Sequence, residues 1–161
     1  MSVWGPGPFE NDDAADWLSD LEEEFEEEQV DLFEDVFSEV AASENVGYIE
    51  ITDGAVAVAA AQVLALLLGR PGVEKNILGE ETLASLSQTI GRLGGKRTER
   101  LVKRALTAVD RILNDKENSE LHQVLEEDEQ MSSAWVSRMR DLHDRLQAIA
   151  TDLEPGGPAK I

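Results

Sequence analysis

The feature that most constrains the fold is an apolar run, AVAVAAAQVLALLLG, from Ala55 to Gly69. Its apolar residues fall on every side of a helical projection, so a helix here has no face for solvent and must be surrounded by other elements. Gln62 interrupts the run, which holds about 14 residues where a membrane-spanning helix needs roughly 20. The run therefore predicts a central buried helix over residues 55–68 and no membrane contact.

Apolar residues recur at spacings of three and four through most of the rest of the chain, which is the pattern of amphipathic helices. Asn11 or Asp12 is predicted to cap the first helix, and Thr52 or Asp53 to cap the apolar helix. The predicted fold is all-α, a single-domain irregular bundle or array of about six to seven helices over residues 1–153, with a flexible tail at 154–161. The predicted buried stripes are Ala14, Trp17, Leu18, Leu21 and Phe25; Val30, Phe33, Phe37 and Val40; Leu83, Leu86, Ile90 and Leu93; Leu101, Ala105, Val109 and Ile112; Leu121, Val124 and Leu125; and Trp135, Met139, Leu142, Leu146, Ile149 and Leu153.

The charge of the chain is divided very unevenly along its length. Of the 34 Asp and Glu residues, 18 lie in residues 1–53, which contain no Lys or Arg, whereas residues 54–161 hold the other 16 and all 14 Lys and Arg. The first third therefore carries −18 of the formal net charge of −20. Such a surface repels nucleic-acid phosphates and anionic membranes and attracts cationic proteins or divalent metals.

The most acidic stretch is Glu22-Glu23-Glu24-Phe25-Glu26-Glu27-Glu28. A kink or break is predicted in this stretch. If the stretch is helical, three pairs of glutamates stand one turn apart, and each like-charge pair costs a few tenths of a kcal/mol. The repulsion would have to be offset by cations elsewhere in the chain, by a cationic partner, or by water and salt.

The opening residues carry a family resemblance. The pattern Trp-Gly-x-Gly-x-Phe-x-Asn-Asp-x-Ala-x-Asp-Trp, here from Trp4 to Trp17, resembles the start of a bacterial family known only as a domain of unknown function. The segments at 48–69 and 101–135 are similar to it too, so the resemblance spans residues 3–153. It implies a bacterial, cytoplasmic, single-domain protein and supplies no catalytic residue.

The opening stretch itself has two interpretations. Gly and Pro residues between Trp4 and Phe9 favour a turn that folds both aromatic side chains back onto the first helix as anchors. The alternative is a binding surface. The candidate binding residues are Trp4, Phe9, Asn11, Asp12, Asp13, Asp16, Asp20, Glu23 and Glu27.

The aspartates of the first helix also raise the question of a metal site. Asp12, Asp16 and Asp20 share one helix face, with Asp13 beside them, and carboxylate oxygens are ligands for Mg²⁺ or Ca²⁺. Ligands of a tight site converge from several directions, however, and a single helix face does not supply them. A solvated, capped helix is the preferred interpretation, and no cofactor is predicted.

One basic stretch, residues 92–111, contains seven Lys and Arg residues. Arg97, Arg100 and Arg104 share a helix face. A phosphate-binding or nucleic-acid-binding role is one interpretation, but no aromatic side chain interleaves the cations, and the overall charge opposes a polyanion. The preferred interpretation is that these cations offset the acidic helices within the fold.

Two classes of function remain. The first is a non-enzymatic module that binds a basic protein through the acidic residues 10–44, as an antagonist or immunity-like protein would. The second is a divalent-metal-assisted hydrolase or transferase that uses Asp12, Asp13, Asp16 and Asp20. Nucleic-acid mimicry by the Glu-rich helix is a weaker third hypothesis.

The absence of cysteine excludes disulfides, zinc–thiolate sites and a cysteine nucleophile. Together with the lack of a signal-peptide pattern, it favours a cytoplasmic protein.

Overall fold

The computed structural model describes residues 11–24, 26–41, 48–72 and 78–153. In these ranges the chain forms seven α-helices and a short 3-10 turn at Lys116–Asn118, and an isolated β-bridge joins Ile49 to Ser119. The all-α prediction is confirmed. Trp4, Phe9, Phe25 and the tail at 154–161 lie outside the described residues. The helices are α1 (Asp12–Glu23), α2 (Glu26–Ala41), α3 (Ile51–Leu67), α4 (Glu80–Gly91), α5 (Gly95–Asn114), α6 (Glu120–Leu125) and α7 (Glu129–Leu153).

Helix α3 is the centre of the molecule, as its sequence predicts. Every residue from Gly54 to Ala65 except Val56 is buried, and α1, α2, α4, α5, α6 and α7 all contact this helix. Burial weakens toward the end, where Leu66 is only half-buried. The helix ends at Leu67, and Gly69 takes a positive φ of 86°. The Gly69 and Arg70 amides then donate to the carbonyls of Leu66 and Ala65, which is the Schellman arrangement.

The start of α3 differs from the prediction. The helix begins at Ile51, and neither Thr52 nor Asp53 caps it, because both lie inside its first turn. The Ile51 amide instead donates to Oε1 of Glu120 at 2.8 Å. Ile49 pairs with the segment before α6, accepting from the Glu120 amide and donating to the Asn118 carbonyl. The side chain of Glu120, 69 residues further along the chain, therefore satisfies a backbone N–H group at the start of α3.

The other helices bury most of the apolar stripes that their sequences indicate, although Leu18, Leu83 and Leu93 are only partly buried. Helix α5 packs most extensively on α7 and next on α2, and one continuous core joins them to α3. The indole of Trp17 meets the ring of Phe33 edge-on, with centroids 5.4 Å apart. The last stripe is buried from Trp135 to Ile149, whereas Leu153 is partly buried and Val124 of the α6 stripe is exposed.

The polar residue inside the apolar helix has a defined partner. Gln62 is 2% exposed, and its Oε1 accepts a hydrogen bond of 2.7 Å from Arg145 on α7. Arg145 also donates to the Arg70 carbonyl and to Asp141. Gly72 lies directly against this cluster, since a Cβ there would stand 2.6 Å from Nε2 of Gln62. A buried amide is tolerated in the core because a charged donor satisfies it.

The predicted break in the Glu-rich stretch falls between Glu23 and Glu26. Glu24 has extended backbone angles, φ −88° and ψ 159°, and its amide donates to the Leu21 carbonyl. Glu22, Glu23 and Glu24 therefore do not stand one helical turn from Glu26, Glu27 and Glu28. The expectation of like-charge pairs stacked in one helix is wrong, because the chain leaves the helix where the acidic residues are densest.

None of the helices in the described ranges is long and apolar enough to cross a membrane.

Candidate binding surface

Helix α1 presents most of its predicted binding residues to solvent. Asp12, Asp16, Asp20 and Glu23 are exposed and have no cationic partner among the described residues. Asn11 differs, because it is 4% exposed and its Oδ1 accepts from the Ala14 amide at 2.8 Å. It is the N-cap of α1, and the sequence offers Asn11 and Asp12 as the two candidates for this position.

The aspartates of α1 do not converge on one point. With a rise of about 1.5 Å per residue, Asp12 and Asp20 lie roughly 12 Å apart along the helix, whereas the ligands of a calcium ion all lie within about 2.6 Å of it. Within the described ranges, no three Asp, Glu or His side chains are grouped so that they could hold a metal ion. This geometry does not support the metal-assisted hydrolase or transferase.

Asp13 connects α1 to the start of α3. Its Oδ2 accepts a hydrogen bond of 3.3 Å from the hydroxyl of Thr52. The next residue, Asp53, is exposed in the first turn of α3. The acidic face of α1 therefore continues onto the N-terminal end of the central helix.

From Asp53 the acidic residues continue across a cleft to α2. The cleft is lined by Val36 and Val56, which are half-buried, and by Asp35, Glu39 and Asp53, which are exposed. None of these three carboxylates has a hydrogen-bond or ion-pair partner among the residues described. We call this the α2–α3 cleft. We define the acidic surface as Asp12, Asp16, Asp20, Glu23, Asp35, Glu39 and Asp53.

Another part of α2 is neutralised from within the chain. Nε and Nη2 of Arg97 on α5 both donate to Oε1 of Glu34, at 3.1 and 2.7 Å, and Nη1 lies 3.8 Å from Glu27. The hydrogen bond to Glu34 raises the pKa of Arg97; partial burial opposes this, and the charges of Glu34, Glu27 and Asp31 add to it. Arg111 likewise donates to the Val40 carbonyl near the end of α2. Helix α5 thus covers one side of α2, while Asp35 and Glu39 have no cationic partner among the residues that the structure describes.

The pairing that the sequence favours for the basic stretch involves Arg97 but not its two neighbours on the same face. Arg100 and Arg104 are exposed beside Glu34 and have no ion pair within the described part of the chain.

Sequence reasoning missed the α2–α3 cleft. Val36, Asp35 and Glu39 lie within a run that reads as an ordinary amphipathic helix, and Asp53 was predicted as a cap. A weak signal was present in the spacing, because Asp35 and Glu39 are one turn apart and flank Val36, an apolar residue off the buried stripe. The opposing Val56 could not be paired with them before the α2–α3 contact was known.

The comparisons with known proteins identify a family without an assigned activity. A family model described as a domain of unknown function (DUF4259) matches residues 2–138. The match ends inside α7, so residues 139–153 of the predicted resemblance lie outside it. No curated protein and no solved structure shows significant similarity to the chain.

Proposed function

We propose that this chain, which belongs to the DUF4259 family of domains of unknown function, is a non-enzymatic module that binds a basic protein through its acidic surface. The observation that carries the proposal is a row of carboxylates from three helices that have no cationic partner among the described residues. Its charge complements a surface rich in Lys and Arg, which it would attract over long distances.

The internal ion pairs support the same interpretation by contrast. Several of the cations are bound within the part of the chain that is described, such as Arg70 to Asp152, Arg97 to Glu34 and Lys116 to Glu126. None of these three pairs includes a residue of the acidic surface. The other ion pairs among the described residues do not include one either, which leaves this surface for a cation from outside the chain.

The antagonist or immunity-like role that the sequence predicts belongs to this proposal as well. An antagonist or immunity-like protein masks a basic surface of its partner, which requires acidic residues and a rigid scaffold but no catalytic group. The predicted bacterial origin and cytoplasmic setting fit that role. Trp4 and Phe9, which precede α1 in the sequence and lie outside the described residues, are proposed as apolar contacts for the same partner.

The test uses a defined basic probe, an amphipathic peptide with lysine and leucine at helical spacing. Binding is measured by fluorescence anisotropy with wild-type protein and with Asp16→Asn/Asp20→Asn/Glu23→Gln/Asp35→Asn. The matched control, Glu80→Gln/Glu81→Gln/Glu127→Gln/Asp144→Asn, removes four exposed carboxylates outside the acidic surface. We expect the surface variant to bind at least about tenfold more weakly than the control at about 0.01 M salt, where screening acts over about 30 Å.

Two results contradict the proposal. One is the absence of peptide binding at low salt. The other is equal weakening by the surface variant and the control, because binding would then follow net charge alone and not this surface. A neutral peptide in which glutamine replaces lysine reports any contribution from the leucines alone.

A further inference from the structure

We infer that the α2–α3 cleft is the pocket for a single lysine or arginine side chain of the basic partner. The inference deepens the proposed function and rests on it for the identity of the partner. It adds a defined subsite with its own ligand chemistry, a cation carried on an aliphatic stem, and this chemistry can be tested without the partner.

The floor of the cleft matches an aliphatic stem. Val36 on α2 and Val56 on α3 pack on the core with one side and leave the other at the cleft. The cleft has a volume of about 150 Å³. A cavity of roughly that volume accommodates a molecule the size of benzene. The methylene groups of one lysine or arginine side chain therefore fit, whereas a helix or strand does not.

The rim of the cleft matches a cationic head. Asp35 and Glu39 lie one turn apart on α2, and Asp53 faces them from the first turn of α3. Lys and Arg bury their methylene stems on apolar surface and keep the charged group at the polar edge, which is the arrangement that this cleft offers. An uncharged apolar side chain would leave three carboxylates without a partner, and a small cation would leave the valines uncovered.

The test uses n-butylammonium as the probe, because it has the four-carbon stem and ammonium group of lysine. Binding is followed by NMR in ¹⁵N- and methyl-labelled protein. We expect the methyl resonances of Val36 and Val56 and the amides of Asp35, Glu39 and Asp53 to shift together in one saturable titration. Two control probes separate the parts of the ligand: n-butanol has the stem without the charge, and ammonium has the charge without the stem.

Two variants separate the parts of the cleft. Asp35→Asn/Asp53→Asn removes two of the three charges at constant shape, and we expect it to weaken butylammonium binding about tenfold. Val36→Thr/Val56→Thr keeps the shape of the floor but makes it polar, and we expect butylammonium to bind it no more tightly than ammonium does. Glu127→Gln/Asp144→Asn removes two exposed carboxylates elsewhere and is expected to bind butylammonium like the wild type. Circular dichroism melting establishes that each variant is folded.

The outcomes distinguish this inference from the proposed function. If ammonium and butylammonium shift the cleft residues equally, or if neither does so selectively, the pocket for an aliphatic cation is overturned. The lysine–leucine peptide can still bind the acidic surface in that case. If instead the peptide fails to bind while butylammonium fills the cleft, the proposed function is overturned and the subsite stands as a site for a small organic cation.

Discussion

At the scale of single residues, Tyr48 offers a direct test of the local electrostatics because it is the only tyrosine in the chain. Its hydroxyl donates to Oε1 of Gln123 at 2.8 Å. Loss of solvation raises its pKa above the ordinary value of 10.0, and the negative charge of Glu120 raises it further. Both effects disfavour the tyrosinate, so the stability contributed by the protonated phenol is complete below pH 10.0 and is lost as pH rises through the folded-state pKa.

We therefore expect the ultraviolet absorbance of tyrosinate to appear with a midpoint above pH 10.0 in the folded protein. Glu120→Gln should lower that midpoint, because it removes the charge while keeping an oxygen that accepts from the Ile51 amide. Urea-unfolded protein gives the reference titration. A folded midpoint at or below the unfolded one would contradict the assignment.

Leu64 and Leu66 test how burial varies within α3. Leu64 is 0% exposed in the core, whereas Leu66 is half-buried and stands outside the main cluster. The apolar run by itself made Leu66 look as buried as its neighbours, and that expectation is wrong. We expect Leu64→Asp to lower the free energy of unfolding by about 4 kcal/mol or more, since it buries an unpaired charge, and Leu66→Asp to lower it by about 1 kcal/mol. Urea denaturation measures both, and equal losses would contradict the burial gradient.

At the scale of helices, Arg97 adds an ion pair to the apolar contact between α5 and α2. Its bonds to Glu34 lie in a partly exposed site, with side-chain exposures of 35% and 31%, so solvent screens the pair. We expect Arg97→Glu to destabilise the protein by about 1 kcal/mol, and Arg100→Glu, with the same change in charge but no described partner, by less than about 0.5 kcal/mol. Reversing Arg97, Arg100 and Arg104 together should add little to the Arg97 effect.

A double-mutant cycle that combines Arg97→Gln with Glu34→Gln isolates the pair itself, because neither change introduces a new charge. Thermal denaturation of the four proteins should give a favourable coupling between Arg97 and Glu34 that decreases with added salt. If Arg97→Glu and Arg100→Glu cost the same, the loss comes from net charge, and the hydrogen bonds of Arg97 do not stabilise the fold.

The helices show what local sequence can and cannot predict. Periodicity predicts six of the seven helices and the continuous apolar run predicts α3, while Asn11 is one of two candidate caps for α1. The interactions that were missed join residues far apart in the chain: Glu120 at the start of α3, Arg145 on Gln62, and the opposite walls of the α2–α3 cleft. Spacing within a helix fixes which residues share a face, but only the packing of helices determines which faces meet.

At the scale of the whole molecule, a net charge of −20 acts against the folded state, because folding brings like charges together. Seven carboxylates of the acidic surface lie on α1, α2 and α3 without described counter-charges, which concentrates that repulsion on these three helices. The break at Glu24 relieves part of it by separating the glutamates of α1 from those of α2. The remainder is exposed to solvent, so dissolved ions can screen it.

We therefore expect added salt to stabilise the protein. Raising NaCl from about 0.01 M to about 0.15 M shortens the screening length from about 30 Å to about 8 Å, which should weaken repulsion across the acidic surface more than it weakens the short internal ion pairs. A gain of 1 kcal/mol in unfolding free energy corresponds to roughly 2–4 °C in melting temperature for a chain of this size.

The variant Asp16→Asn/Asp20→Asn/Glu23→Gln/Asp35→Asn should melt several degrees above wild type at low salt, and the melting temperatures of the two proteins should converge as salt rises. Glu80→Gln/Glu81→Gln/Glu127→Gln/Asp144→Asn should gain less, because its four charges are divided between separate elements and do not belong to the acidic surface. If salt instead lowers the melting temperature, internal pairs such as Arg97–Glu34 outweigh the repulsion, and the acidic surface has no electrostatic cost for a basic partner to relieve.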